Sequence, residues 1–366
     1  MSEKIKVLHI VEAFAGGMIS VIQGIVNNTN KSFQHYILFN IRKESPKVPE
    51  DFFKKDVILI PARHLIREID LSEDIKAISE VKRTFNNIQP DVVHLYSSKA
   101  GVIGRLALNG KKVAIFYSPQ GYSFLMHDCS ELKRKMYYIF EKICGYRTSM
   151  SVAACRGEYI LAQRVSKKST CINNGIDTKE LDRFNLNVKS ESKKIRVCTL
   201  GRIVSQKNPD MFNRIAQAFP DVEFVWIGGG ELRERLTSEN IEVTGWMTKE
   251  KALDKLLESS VFILTSYYEG FPLALIEAMY LKRCCIVSSI SGNVDAIKDR
   301  KTGYICGTFE EYVDIISQLK ENGIDNNMLE AAHDYVLNEL NQTVMAEKYE
   351  KIYKEEIERL RKTVSQ

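Results

Sequence analysis

The chain has 366 residues, 44% of them hydrophobic and 27% charged, with a formal net charge of +5. These proportions exclude a disordered or collagen-like chain, and the length fits two domains of roughly 100–200 residues each. No apolar run reaches the ~18 residues of a membrane span, and the eight Cys, with no Cys-x-x-Cys pair and no His cluster beside them, read as buried thiols in a reducing compartment.

Met1-Ser2-Glu3-Lys4 leads directly into a strand with no visible signal peptide, so a cytoplasmic location is expected, soluble or peripheral. Ile5–Val11 is that strand, and Glu12-Ala13-Phe14-Ala15-Gly16-Gly17 follows before a helical pattern to about Asn28. Strand, glycine loop and helix open a nucleotide-binding α/β domain. The Gly-x-Gly-x-x-Gly spacing of a dinucleotide site is missing. Short strands are expected at His35–Phe39 and Val57–Ile60, an amphipathic helix at 72–88 ended by Pro90, and a strand at Asp91–Tyr96. Ser97-Ser98-Lys99-Ala100-Gly101 then precedes a helix to about Leu108, and a strand at Val113–Tyr117 leads into Ser118-Pro119-Gln120-Gly121-Tyr122-Ser123-Phe124. Strands alternating with helices imply a parallel sheet, whose ligands bind beyond the C-terminal strand ends. The three loops fall there.

Glu131–Gly145 is helical and mixes Lys133, Arg134, Lys135 and Lys142 with Met136, Tyr137, Tyr138, Ile139, Phe140 and Ile143. It reads either as a core helix with a solvated basic face or as a face that meets anionic lipid headgroups. Residues 1–190 hold 29 Lys+Arg against 19 Asp+Glu, or +10, which leaves −5 for residues 191–366. A basic first half fits an anionic partner (nucleic acid, membrane surface or phosphate) or simply uneven solvation. Strands are expected at Ser149–Ala153 and Thr170–Ile172, a turn at Asn173–Asp177, and an interdomain linker in the polar stretch 178–194.

The alternation restarts with a strand at Ile195–Leu200 and the loop Gly201-Arg202-Ile203-Val204-Ser205-Gln206-Lys207-Asn208-Pro209, whose two cations suit two phosphates. Phe224–Ile227 is a buried strand before Gly228-Gly229-Gly230, Val243–Trp246 is a short strand, and 250–258 is helical. Val261–Leu264 then runs into Ser266-Tyr267-Tyr268-Glu269-Gly270-Phe271-Pro272-Leu273, after which strong helix formers carry Glu277. Pro272 suits a first helical position because its missing N–H would be unpaired there anyway. Free N–H groups and the helix dipole make this helix start an anion site. Gly270 lets a ligand approach the backbone. Glu269 sits at the rim, and Glu277 roughly one and a half turns in at 3.6 residues per turn. A strand at Cys284–Ser288, the loop Ser291-Gly292-Asn293 and helices at 309–321, 328–339 and 343–362 complete the chain.

In order and spacing these stretches resemble a GT-B glycosyltransferase of the retaining, sugar-nucleotide-dependent family four, over nearly the whole chain. Gly16-Gly17 is similar to the N-terminal glycine loop of that family. Asp91-Val92-Val93-His94 with Ser97–Arg105 resembles members that build capsule, O-antigen and exopolysaccharide. Gly201-Arg202 with Lys207 resembles the diphosphate loop, Gly228-Gly229-Gly230 and Gly245-Trp246 the nucleoside-side loops, and Glu269 through Glu277 the Glu-x7-Glu signature. The resemblance implies two Rossmann-like parallel-sheet domains facing across a cleft. Residues 1–180 would bind acceptor, 190–342 would bind donor, and a C-terminal helix, 343–366, would return to the first domain.

It also implies roles. Arg202 and Lys207 would neutralise the departing diphosphate, aided by Gly17 and the N–H groups of Phe271, Leu273 and Ala274. Gly201, Gly229, Trp246, Gly270 and Pro272 would complete the donor site. Glu277 would bind ribose hydroxyls and Glu269 the transferred sugar. Lys99, Gly121 and Tyr122 would face the acceptor. Gln120 stands where relatives usually carry His. It can donate and accept hydrogen bonds but cannot carry charge near neutral pH, so it would orient a sugar without moving a proton. Ser291-Gly292-Asn293-Val294-Asp295 departs from the commoner Gly-Gly-x-x-Glu loop. The expected enzyme is a cytoplasmic transferase, soluble or peripheral on the inner membrane face. It moves a UDP-linked sugar to a polyprenyl-diphosphate-linked or soluble glycan, with no nucleic-acid partner, metal or cofactor. An epimerase or hydrolase on the same fold, and a non-catalytic sugar-nucleotide sensor, are the rival readings.

Overall fold

Strands and helices alternate along the chain, and in the computed structural model they build two parallel sheets, one in each of two units. The structure describes residues 4–364 apart from 13, 15, 42–51, 54–55, 111–112, 127–128 and 185–194. Met1–Ile176 with Gln342–Gln366 form the first unit and Asp177–Asn341 the second.

In the first unit the strands are β1 (Ile5–Val11), β2 (Phe33–Phe39), β3 (Ile58–Pro61), β4 (Val92–Tyr96), β5 (Ala114–Ser118), β6 (Met150–Ala153) and β7 (Ser169–Cys171). They lie in the order β3-β2-β1-β4-β5-β6-β7. Every residue of β4 and β5 is buried, as expected for central strands covered on both faces. Helices α1 (Gly17–Asn28), α2 (Leu71–Ile88), α3 (Ser97–Ala107), α4 (Glu131–Gly145) and α5 (Arg156–Val165) connect them. Leu8, Ile10, Val93, Leu95, Ile115 and Tyr117 from the sheet pack with Ala77, Val81 and Ile103 from α2 and α3. Helix α2 begins where the Asp70 side chain accepts from Glu73 N–H and ends at Gln89, left-handed before Pro90. Helix α3 starts at Ser97 itself, so the stretch Ser97–Gly101, expected as a loop, is helical. Of the Glu12–Gly17 loop, Ala13 and Ala15 lie outside the described residues.

The second unit contains β8 (Arg196–Leu200), β9 (Glu223–Ile227), β10 (Ile241–Val243), β11 (Val261–Leu264), β12 (Cys284–Ser288) and β13 (Tyr304–Cys306), ordered β10-β9-β8-β11-β12-β13. Its helices are α6 (Thr178–Leu181), α7 (Pro209–Ala218), α8 (Lys249–Leu257), α9 (Leu273–Tyr280), α10 (Asn293–Ala296), α11 (Phe309–Asn322) and α12 (Asn326–Glu339). Val197, Phe224, Trp226, Val261 and Ile286 pack against Phe212, Ile215, Tyr312 and Ile316. Two expectations shift. The strand expected at Val243–Trp246 is Ile241–Val243, because Gly245 turns the chain with φ 74°. Thr178–Leu181, inside the stretch read as linker, is a helix capped by Asp177 with Leu181 buried. The rest of that stretch, 185–194, lies outside the described residues.

The last helix, α13 (Gln342–Val364), belongs to the first unit and packs on α1. A Cβ at Gly24 of α1 would stand 2.6 Å from the Met345 side-chain methyl, so the Met345 and Gln342 side chains of α13 pack directly over that position. Tyr353 of α13 meets Nδ1 of the buried His94 at 2.5 Å, and His94 Nε2 meets Ser118 Oγ at 2.8 Å. Burial pushes the His94 imidazole down to about 3, so it stays neutral and serves as a hydrogen-bond hub.

Candidate active site

In each sheet the strand order reverses once, between β1 and β4 in the first unit and between β8 and β11 in the second. Loops leaving the C-terminal ends on either side of such a reversal diverge and leave room for a ligand. Gly17 follows β1, Gly201, Arg202 and Lys207 follow β8, and Glu269–Pro272 follow β11, on those loops; Gln120–Tyr122, Gly229 and Trp246 follow β5, β9 and β10, and Lys99 and Glu277 lie within α3 and α9.

In the second unit the loops after β8 and β9 run backbone to backbone. Ile203 N–H donates to Gly229 O at 2.9 Å and Gly201 N–H to Ile227 O at 3.0 Å. A Cβ at Gly228 would stand 2.2 Å from the Gly201 carbonyl oxygen, so this contact requires glycine. A Cβ at Gly229 would stand 3.0 Å from the Trp246 indole nitrogen, which places these two residues together; the Trp246 side chain is exposed. The chain after Gly201 makes a 3-10 turn at Ser205–Lys207. Asn208, left-handed, then caps α7 by accepting from Met211 N–H, with Pro209 first in the helix.

This turn carries Lys207 to Glu269. The Lys207 ammonium lies 2.7 Å from Glu269 Oε1, which also accepts from Ser266 Oγ at 2.7 Å. Gln206 Nε2 donates to Tyr268 O at 3.0 Å and approaches Glu269 Oε2 at 3.3 Å. Both charged side chains are largely buried, at 17% and 7% exposed. Thr265 Oγ1 donates to Lys207 O at 2.9 Å, tying the two loops at the main chain as well. Arg202 is exposed and makes no ion pair among the described residues.

Glu269-Gly270-Phe271-Pro272 leads into α9. Pro272 is the cap of the helix, with extended ψ, and α9 begins one residue later than expected, at Leu273. Leu275 and Ile276 N–H donate back to Pro272 O, which leaves the Leu273 and Ala274 N–H groups without an intrahelical acceptor. Gly292, at φ 86°, lies under this loop, where a Cβ would be 2.5 Å from Gly270 O. The 291–293 loop therefore supports the Glu269–Gly270 turn.

Glu277 is buried in α9, 3.4 Å from the Lys249 ammonium, and Lys249 also holds Glu180 at 2.7 Å. Burial raises the Glu277 carboxyl, with Lys249 opposing. Burial pulls the Lys249 ammonium down, but Glu277 and Glu180 outweigh it and leave it raised. Neither Lys249 nor Glu180 is readable as a site residue from sequence, because nothing local to a helix start at 249 points to a Glu 28 residues on.

In the first unit, Gly17 opens α1 beyond β1, exposed, and Gln120, Gly121 and Tyr122 follow β5. Gln120 and Asn174 exchange hydrogen bonds between their side-chain amides, and Gly121 N–H donates to Glu158. Tyr122 is buried, its ring stacked on Phe124 at 4.7 Å. Lys99 is on α3, its ammonium bonded to Asp74 and, at 2.7 Å, to Glu68 O, so an acceptor would have to compete for it. Gln206, Asn174 and Glu158 went unread for the same reason as Lys249: each acts through a partner distant in sequence; Ser266 bonds Glu269 three residues on, in the same loop. Among the described residues no group of three His, Cys, Asp or Glu could hold a metal ion, and no helix is long and apolar enough to cross a membrane.

Residues 179–336 match the model of the glycosyl transferases group 1. Over 96% of this chain and 97% of its own length, an Escherichia coli protein described as UDP-Gal:alpha-D-GlcNAc-diphosphoundecaprenol alpha-1,3-galactosyltransferase is 25% identical. A Klebsiella pneumoniae protein from a cps region, of uncharacterised function, is 26% identical over 95% of this chain and 99% of its own. Among solved structures, a sucrose-phosphate synthase from Thermosynechococcus elongatus superposes with a TM-score of 0.81 at 16% identity, covering 96% of this chain and 99% of that one. HepE from Anabaena, in complex with UDP and glucose, superposes with a TM-score of 0.75 at 13% identity, covering 96% and 100%.

Proposed function

We propose a specific reaction for this chain, a glycosyltransferase of the GT-B fold whose residues 179–336 match the glycosyl transferases group 1 model. It transfers a sugar from a UDP-sugar, with retention of anomeric configuration, to a polyprenyl-diphosphate-linked glycan during cell-surface polysaccharide assembly. The observation that carries the reading is the Lys207–Glu269 pair, 2.7 Å apart beside the open start of α9. A cation for the leaving diphosphate and a carboxylate for the sugar stand side by side, as cleavage of the bond between them demands.

In this reading Lys207 and Arg202 take the charge that grows on the diphosphate, and the Leu273 and Ala274 N–H groups add fixed donors. Preorganised charges of this kind usually supply more of an enzyme's rate enhancement than any other single effect. Glu269 holds hydroxyls of the transferred sugar and stabilises its oxocarbenium-like charge. Glu277 accepts from the ribose hydroxyls, with the Lys249 ammonium favouring its charged form against the effect of burial. Gln120, Gly121 and Tyr122 serve the acceptor, and Gln120 orients and moves no proton. The cations do the work of a metal. The Escherichia coli relative is described as a transferase, which favours transfer over epimerisation or sensing. A lipid-borne acceptor also assigns α4 a partner. Leu132, Ile139 and Ile143 are more than half exposed among its Lys and Arg residues, the composition of a surface that meets anionic headgroups.

Calorimetric titration with UDP, GDP, ADP and their sugars tests the donor. UDP and UDP-sugars should bind, and preference for GDP or ADP would contradict the assignment.

A further inference from the structure

The loop leaving β5 has two consecutive residues at positive φ, Gln120 at 53° and Gly121 at 103°. A non-glycine residue keeps that conformation only where its surroundings impose it. Two braces do so here. The Gln120–Asn174 pair bonds in both directions, at 3.1 Å and 2.9 Å, which leaves the Gln120 amide one N–H and one oxygen lone pair for a ligand. Glu158, 4% exposed in the first turn of α5, supplies the other. Its Oε1 accepts from Gly121 N–H at 2.6 Å and its Oε2 from Ala154 N–H at 2.6 Å. Among the described residues Glu158 makes no ion pair. Both oxygens of a buried carboxylate thus go to main-chain donors of two loops, one after β5 and one after β6. Burying a carboxylate is costly, and only the short charge-assisted bonds to these loops offset it.

We propose that Glu158 is a positioning residue for sugar transfer: its ionised carboxylate fixes the Gln120–Gly121 backbone, and with it the open hydrogen-bonding edge of Gln120. This rests on the reading above, in which that loop orients a sugar. An ionised carboxylate accepts both N–H groups. A protonated one turns an O–H toward one of them and loses that bond. The groups facing Glu158 are Glu141 on α4, Tyr122 in the loop and Tyr349 on α13, while Arg105 on α3 is turned to Glu141 at 2.8 Å. Burial, opposed by the two N–H bonds and reinforced by Glu141, pushes the carboxyl up to about 6. Turnover that needs the ionised form is complete above that value and lost as pH falls through it.

The test measures kcat and KM for transfer over about pH 5–8 for wild type, Glu158→Gln and Gln120→Ala, with UDP calorimetry and Tm alongside. Glu158→Gln keeps one acceptor and sets an NH2 against the other N–H, so kcat should fall about tenfold. Its pH profile should lose the acid limb near 6, while donor KM and UDP affinity stay at wild-type values. If Gln120→Ala is impaired but Glu158→Gln keeps both kcat and the acid limb, the role of Glu158 is overturned and the loop's role stands. If Gln120→Ala is fully active, the loop is outside the reaction and both fall. Should Glu158→Gln not fold, wild type decides: a flat kcat through pH 6, with Tm showing an intact fold, overturns the proposal.

Discussion

Lys207 and Glu269 neutralise each other at 2.7 Å, yet they are assigned to opposite fragments of the donor, the diphosphate and the sugar. Substitutions should separate the two jobs. Arg202→Ala and Lys207→Ala should each lower turnover by ~10²–10³, the usual loss when one preorganised donor is removed, with Tm little changed. Glu277→Ala should weaken binding of free UDP, since its partner is the ribose. Glu269→Ala should leave free UDP binding intact and suppress transfer. Wild-type turnover in either cation variant, or equal loss of UDP affinity in both glutamate variants, would contradict these roles. The residue types were legible in sequence, because a strand, a glycine and a helix start fix where Glu269 and Glu277 must fall. Their partners were not. Gln206 and Lys249 meet them only where the fold brings distant segments together, while Ser266 is three residues from Glu269 in the same loop.

Helices and strands with strong apolar runs were readable within a residue or two, as β1, β4, β11 and α4 illustrate. Elements with weak patterns were missed. Helix α5 starts Arg156-Gly157, and its buried residues are Glu158, Ala162 and Val165, so its inward face shows little apolar signal. The brace on the Gln120 loop was hidden with it. Strand β13 has three residues, too few for any periodicity. For α4 the sequence left open whether the apolar residues face core or solvent, and here the structure decides: Leu132, Phe140 and Ile143 are exposed. Basic residues near an anionic surface contribute ~1 kcal/mol each, so three or four give reversible association that salt weakens. Wild type should float with anionic but not neutral liposomes, and Lys133→Glu with Lys135→Glu should reduce flotation. Failure of wild type to float at low salt would remove the membrane from the account.

At the scale of the whole molecule, the alternation of strands and helices announced two parallel sheets, and the basic first half and acidic second half follow the same division. The C-terminal helix returning to the first unit is carried by Tyr349, Tyr353 and Met345, residues that read as ordinary helix core until Gly24 and His94 are seen opposite them. The central claim is transfer with retention from a UDP-sugar to a lipid-linked glycan. The direct measurement incubates the full chain with a UDP-sugar panel and a polyprenyl-diphosphate-linked monosaccharide, and reads the product's anomeric configuration by NMR. The account predicts a disaccharide product that keeps the donor's configuration and forms only when acceptor is present. An inverted linkage, or donor turnover at the same rate without acceptor, would contradict it.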